Sequence, residues 1–485
     1  MRNHAMPSHS WARFLPRPEL LILIPVALLA SCAAPVALKS EPGEIARSVH
    51  QRDVSRTPVA EVVEIARLEA IDLPQPSAED LIDASRMGYW QACAYTWNPE
   101  VRAARRALQA AVGLARSAGA PAPLGFQSML HEVPNGKDLV DGQLSIEWTR
   151  LLGLGPAEAE RELARTEVLQ ATVGLEVALW SACFKVERSR VNLAAARARY
   201  TALEQLQSDL QVDRVRLEIL HAHGRLPSAV WEGVEARTHS IAAAISRLRV
   251  QEARAEALLS EVSGVPIGHP SLAIPNQAQI PAADLDTIDA GGLLDRHPLL
   301  RRERIALAVA EAQLRRVAAK AWPEVRIGPH MSLIADSPTL GGFVQLQLPW
   351  PSSWRGELEV MEARRARQLE RIEEAYLDQL ARIERSRTSH EEALLQRDLH
   401  SSAMERGAAA MWGASRARLH EGEEPMSRWF DFFDRRLGSS HLVIDAWEQE
   451  QLARIDLQDH LGPLSLDGRQ TPSSEPVSEV TLWIQ

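Results

Sequence analysis

Cysteine is scarce in this chain, three in 485 residues. With Cys32 set aside as a modification candidate, Cys93 and Cys183 are too few and too far apart for a disulfide framework or a metal-type spacing. Positive charge is also in deficit: 54 Lys and Arg face 64 Asp and Glu, for a formal charge of −10. That balance argues against a nucleic-acid partner. Aromatic residues make up 5% of the chain. After residue 31 no apolar run is long enough for a transmembrane helix, so any membrane crossing must use strands. No HExxH, Gly-x-Ser-x-Gly or phosphate-loop pattern occurs, and scattered Ser, His and Asp residues build no nucleophilic site. The chain is expected to be no enzyme, with no catalytic residue, no cofactor and no resident metal.

What is present begins with an export signal over residues 1–31. Arg2, Arg13 and Arg17 precede an apolar run, Leu20 to Leu29, that is too short to span a bilayer. Leu29-Ala30-Ser31-Cys32 then matches the bacterial lipobox, which makes Cys32 the expected lipidation site and the mature N-terminus. Removing the signal takes the formal charge from −10 to −12. Ala33 follows Cys32, and without an acidic residue at that place the anchor is expected in the outer membrane.

Prolines divide the remainder into two matching halves. Pro99, Pro121, Pro156, Pro227 and Pro266 are answered by Pro298, Pro323, Pro351, Pro425 and Pro463 at similar intervals. Asn98-Pro99-Glu100-Val101-Arg102 pairs with His297-Pro298-Leu299-Leu300-Arg301, and Gly224 with Gly422. An interior proline breaks a helix, so the proline-free stretches mark where long helices can run. Residues 157–222 carry Leu203, Leu206, Leu210, Leu217 and Leu220 as a coiled-coil seam. Residues 355–421 carry Tyr376, Leu380 and Ile383 in the same rhythm. Each rod would be about 100 Å long, against return segments 228–262 and 426–461 of about half the length. The short helices 99–120 and 298–321 are expected to supply the rest, by stacking 228–262 on 298–321 and 426–461 on 99–120, which closes the two chain ends on each other.

Between short and long helix each half alternates with period two. Leu144, Ile146 and Trp148 oppose Gln143, Ser145 and Glu147. Val325, Ile327, Met331 and Leu333 oppose Glu324, Arg326, His330 and Ser332, and Val344, Leu346 and Leu348 oppose Phe343, Gln345 and Gln347. Pro134-Asn135-Gly136 and Asp336-Ser337-Pro338 supply turns. One apolar and one polar face fit either a membrane barrel or a small soluble sheet, and four strands cannot close a membrane barrel alone. Trp148 and Trp350 near the strand ends suit an interfacial belt or packing on the helix tops.

These residues resemble the TolC-type outer-membrane efflux proteins over roughly 80–461. The duplicated openings at Asn98 and His297, and the stretch Ala308-Val309-Ala310-Glu311-Ala312-Gln313-Leu314 to Trp322-Pro323, carry the resemblance. Leu348-Pro349-Trp350-Pro351 followed by Arg355-Gly356-Glu357 is similar to the heavy-metal branch of that family, which by itself assigns no cargo. The resemblance implies a mainly α fold with a small β part and a homotrimer. Its twelve strands form one outer-membrane β-barrel that continues into a 12-helix α-barrel. Partners implied are a periplasmic adaptor protein, an inner-membrane pump and outer-membrane lipid.

The expected organisation is a signal peptide at 1–31, a lipid-anchored lead-in at 32–97, a first repeat at 98–262, an equatorial connector at 263–296, a second repeat at 297–462 and a flexible tail at 463–485. Strands are expected at about 124–132, 140–149, 324–335 and 342–349, and helical hairpins at 156–262 and 355–462. In the family the hairpin tips face the adaptor, with an Arg-Leu pair before a glycine and a small polar residue after it. Arg216, Leu217, Gly224 and Ser228 approximate the first tip, and Arg418, Leu419, Gly422 and Ser427 the second. Glu421, Glu423 and Glu424 place three carboxylates at the second tip, hence nine around a three-fold entrance, where they would favour cations; a solvated acidic turn reads the same residues. His221 and His223 lie two apart beside the first tip and so point away from each other on a helix. The rival to a passive duct is a non-conducting periplasmic coiled-coil lipoprotein.

Overall fold

The computed structural model describes residues 87–120, 125–133, 137–152, 155–266, 290–334, 337–400, 402–421 and 425–462. Its longest element is α4, Pro156–Ala222, preceded by α1 (Met87–Trp97), α2 (Pro99–Ser117) and the four-residue α3 (Trp148–Leu151). Helix α4 starts on a proline at its first position, where the missing N–H costs nothing, and has no proline thereafter. At 67 residues it runs about 100 Å. Its seam leucines Leu203, Leu206, Leu210 and Leu217 are buried against the return helix α5, Ser228–Ser263, through Val234, Ile241, Ile245 and Leu248.

Charge pairs fix α4 on both flanks. Arg197 reaches Glu252 at 2.9 Å and Glu256 at 2.6 Å on α5. Two residues on, and so on the opposite side of the helix, Arg199 bonds Asp445 at 2.6 Å on α10 (Met426–Leu461). Arg188 adds Asp456 and Asp459 of α10 at 2.7 and 2.6 Å, and Trp180 donates its indole N–H to Asp459 at 2.9 Å.

The stacking of the short helices differs from the expectation. Asn98 caps α2 by accepting from the N–H groups of Glu100 and Val101 at 2.8 and 3.3 Å, and its amide donates to the carbonyl of Val262, in the last turn of α5, at 2.7 Å. In the second half, α6 (Ala290–Arg296) leads into α7 (Pro298–Ala318), and His297 between them contacts the carbonyl of Asp459, near the end of α10, at 3.3 Å. So α5 stacks on α2 and α10 on α7, each within its own half. The expected joints, 228–262 on 298–321 and 426–461 on 99–120, do not form, and the chain ends do not close on each other there. Length matching could not separate the two solutions because both give columns of the same length; the joint residues separate them. Gly264 and Gly462 close α5 and α10 with φ of 73° and 69°. A Cβ on either would come within 2.7 Å of Trp97 or His297, the residues that open the partner column.

A short helix wedges each joint, α1 through several buried residues and α6 through Leu293. Trp90, Cys93 and Tyr95 of α1 pack with Leu175, Leu179 and Cys183 of α4 and Leu259 and Val262 of α5. Leu293 of α6 packs with Leu300 of α7, Ile383 of α8 (Pro351–Leu399) and Leu457 of α10. Each of these helices lies ahead of its proline pair, Asn98-Pro99 or His297-Pro298.

The second rod is also not continuous. Expected as one helix over 355–421, it is α8 followed by α9, Ser402–Glu421, with His400 leaving helical geometry at φ −95° and ψ 47°. No proline causes the break. It falls between Leu399 and Ser402, where the sequence reads His-Ser-Ser, residue types of modest helix propensity.

The strands β1 (Gly125–Val133), β2 (Lys137–Glu147), β3 (Glu324–Ile334) and β4 (Ser337–Gln347) form one antiparallel sheet in the order β1-β2-β3-β4. Ile334 pairs with Ser337, so the second hairpin loop spans only 335–336, and β4 starts five residues earlier than expected with Pro338 inside it. Trp148 lies in α3 and not in β2.

Candidate functional site

Antiparallel register decides which side chains share a face, because directly opposed residues point the same way. Ile327 opposes Val344 and Ile146, Val325 opposes Leu346, and Met331 opposes Leu340, so the apolar residues of three strands fall on one face. Opposite them, His330 meets Gln143, and Arg326 meets Gln345 and Glu147. Among the described residues nothing covers the apolar face: Leu340 is 80% and Val344 72% exposed. Where the strands join the helices, Trp148, Trp322 and Trp350 are exposed as well, and Trp322 lies over Gly155, whose φ of 59° opens the loop into α4.

At the opposite ends of the long helices are the hairpin tips. Gly224 turns the first with φ 69°, Leu217 is buried beneath it, and Arg216 and Ser228 are exposed. Leu226 is buried in the same core. At the second tip Arg418, Glu421 and Ser427 are exposed and Leu419 packs onto the tip core. Gly422, Glu423, Glu424 and Cys32 lie outside the described residues. The imidazole of His221 contacts the Leu226 carbonyl at 3.2 Å and stacks on Trp231, while His223 contacts the Ile219 carbonyl at 2.7 Å. Each ring thus has a partner of its own.

Behind the tips the two hairpins are locked together. Arg416 of α9 donates to both carboxylate oxygens of Asp213 at 2.8 and 3.0 Å and to Asp209 at 2.7 Å, both on α4. Asp213 is wholly buried. Burial opposes the guanidinium charge, but the two carboxylates outweigh it and hold the Arg416 pKa above its ordinary value. Alongside, Trp412, Trp429 and Phe433 form an aromatic cluster, and Arg237 of α5 lies 4.0 Å over the ring of Phe430 and pairs with Asp434 at 2.9 Å.

A sheet with an uncovered apolar face, continued by two unequal helical hairpins, has close counterparts among solved structures. The outer-membrane channel OprN matches with a TM-score of 0.67 at 16% identity, over 81% of this chain and 93% of that one. The Campylobacter jejuni CmeC outer-membrane channel matches with 0.67 at 12% identity, over 82% and 89%. The open-state Neisseria gonorrhoeae MtrE outer-membrane channel gives 0.66 at 15% identity, over 81% and 97%. This chain has the outer-membrane channel fold. No family model and no curated protein matches its sequence, so the channel fold is held here by a divergent set of residues.

Within the channel fold, the sequence-predicted tip residues that are described, Arg216, Leu217, Gly224, Ser228, Arg418, Leu419, Glu421 and Ser427, lie at the two hairpin ends, and the alternating strands supply the open sheet. Sequence reasoning missed the lock behind the tips and Trp322. A signal existed for the lock: Phe430, Phe432 and Phe433 are three of only seven phenylalanines, and Asp209 and Asp213 stand four apart on one helix face.

Proposed function

We propose that the protein is the passive outer-membrane duct of a tripartite export system. Three copies would close their four-stranded sheets into one twelve-stranded barrel and continue as a twelve-helix periplasmic tunnel. The observation that carries this reading is the uncovered apolar face on a sheet whose outer strands, β1 and β4, both keep an open edge. Exposed apolar strands with unpaired edges are an aggregation hazard in water and a wall in lipid once the edges meet. No helix among the described residues is long and apolar enough to cross a membrane, so the sheet is the element suited to that task.

Acylated Cys32 would anchor each copy in the outer membrane, and Trp148, Trp322 and Trp350 would sit at its inner headgroup level. The tips, with Arg216, Leu217, Gly224 and Ser228 in one and Arg418, Leu419, Gly422 and Ser427 in the other, would receive a periplasmic adaptor bound to an inner-membrane pump. Glu421, Glu423 and Glu424 would ring the entrance and bias it towards cations. The pump supplies the energy, and this chain supplies the passage.

Ionic conductance of the purified protein in a planar bilayer tests the proposal. Discrete conducting steps are expected, larger once the Arg416 lock is removed. A protein that inserts as a trimer and never conducts, with or without tip substitutions, would instead be a non-conducting envelope lipoprotein.

A further inference from the structure

On the sheet side of the joints, four helices follow one another in the order α2, α4, α7, α8: α4 packs on both α2 and α7, and α7 packs on α8. The outer helices are tied to the outer strands, since α2 leads into β1 and β4 leads into α8. The middle contact, α4 on α7, carries two ion pairs. Arg301 of α7 donates to both carboxylate oxygens of Glu176 at 2.8 Å, and Arg315 bonds Glu162.

Through the duplication, α2 is the counterpart of α7, and α8 of α4. Arg102 and Arg116 precede Arg301 and Arg315 by 199 residues, while Glu374 and Glu359 follow Glu176 and Glu162 by 198 and 197. Both pairs are therefore written a second time, with the cations on one outer helix and the carboxylates on the other. Arg102, Arg116, Glu359 and Glu374 are all exposed, and none has an ion-pair partner among the described residues.

The faces around them agree in sign. Exposed Arg106 stands one turn beyond Arg102, and exposed Glu370 one turn before Glu374. Because α2 and α8 run in opposite directions, those two also fall level. The one acidic residue of α2, Glu100, is already engaged by Lys185 at 2.8 Å. Arg367 of α8 falls level with Gln109 and Ala110, which carry no charge.

We propose that neighbouring copies join along this seam, with Arg102, Arg106 and Arg116 of α2 paired to Glu374, Glu370 and Glu359 of the partner subunit. The seam rests on the ring of copies proposed above and says which helix faces close it. Opposite charge at opposite ends makes the contact head-to-tail, the kind that can close into a ring. Contact between two like ends would oppose charges of one sign. The same pairing brings the open edge of β4 to β1 of the next copy.

Thiol cross-linking of the full-length protein in membranes tests the seam, using Arg102→Cys together with Glu374→Cys and a short bis-maleimide; Cys93 and Cys183 are buried. Covalent dimers and trimers are expected from the double variant and from neither single one. In detergent, Arg102→Glu and Glu374→Arg should each speed trimer dissociation at least about five-fold, and the two combined should return it to within about two-fold of the unaltered protein. A trimer whose double cysteine variant forms no covalent species between copies, or whose combined reversal is no more stable than the single ones, overturns the seam and leaves the duct standing. A protein that never trimerises overturns both.

Discussion

Glu187 of α4 is a carboxyl buried among helices. Burial raises its pKa from 4.5 to about 7, although Arg454, the amide of Gln91 at 3.1 Å, Arg190 and Arg188 all favour its charged form. A carboxyl whose folded pKa lies above its unfolded one contributes stability fully below about pH 4.5 and loses it as pH rises through about 7. The docking of α1 on α4 should therefore weaken over that window by about 2–3 kcal/mol. Glu187→Gln should remove this component, and thermal midpoints from pH 5 to 8 for the two proteins check it. Such residues were hard to read in advance: Glu187 stands among many charges on a 67-residue helix, and only the packing of α1 shows that this one is buried. The Arg416 lock escaped for the same reason, since pairing across 203 positions leaves no local spacing to find.

Elements were more legible, with errors of a particular kind. Helix α4 matches its proline-free interval because prolines mark where a helix cannot run. The same rule missed the break after Leu399, because serine and histidine can end a helix without a proline. Strand faces were legible in β3 and β4 from alternation alone, whereas the start of β4 depended on a loop of two residues. One strand contact admits no substitution. Gly328 passes so close to β2 that a Cβ would lie 1.7 Å from the Leu144 carbonyl oxygen. Gly328→Ala should separate β2 from β3 locally and cost more than the usual overpacking penalty of about 1–3 kcal/mol. Gly341→Ala, with open space around it, should cost far less; comparative thermal unfolding of the two variants measures the difference.

For the molecule as a whole, the duplication was legible and the pairing of its parts was not, because two columns of equal length can be assembled in two ways and only Asn98 and His297 choose between them. The proposed duct also makes the two sheet faces unequal. Val344→Arg on the apolar face should cost about 2–4 kcal/mol in lipid and shift the protein out of the membrane fraction. Gln345→Arg, its neighbour on the other face, should stay membrane-bound, and fractionation followed by trimer analysis distinguishes the two. The interruption at His400 acts at this scale too. In the proposed ring of three copies, six rods would alternate between unbroken and jointed, so bending compliance would repeat every second strut. Strain applied at the tips would then be taken up by the three jointed rods while the three stiff ones keep the bore aligned, giving deformation with three-fold and not six-fold symmetry.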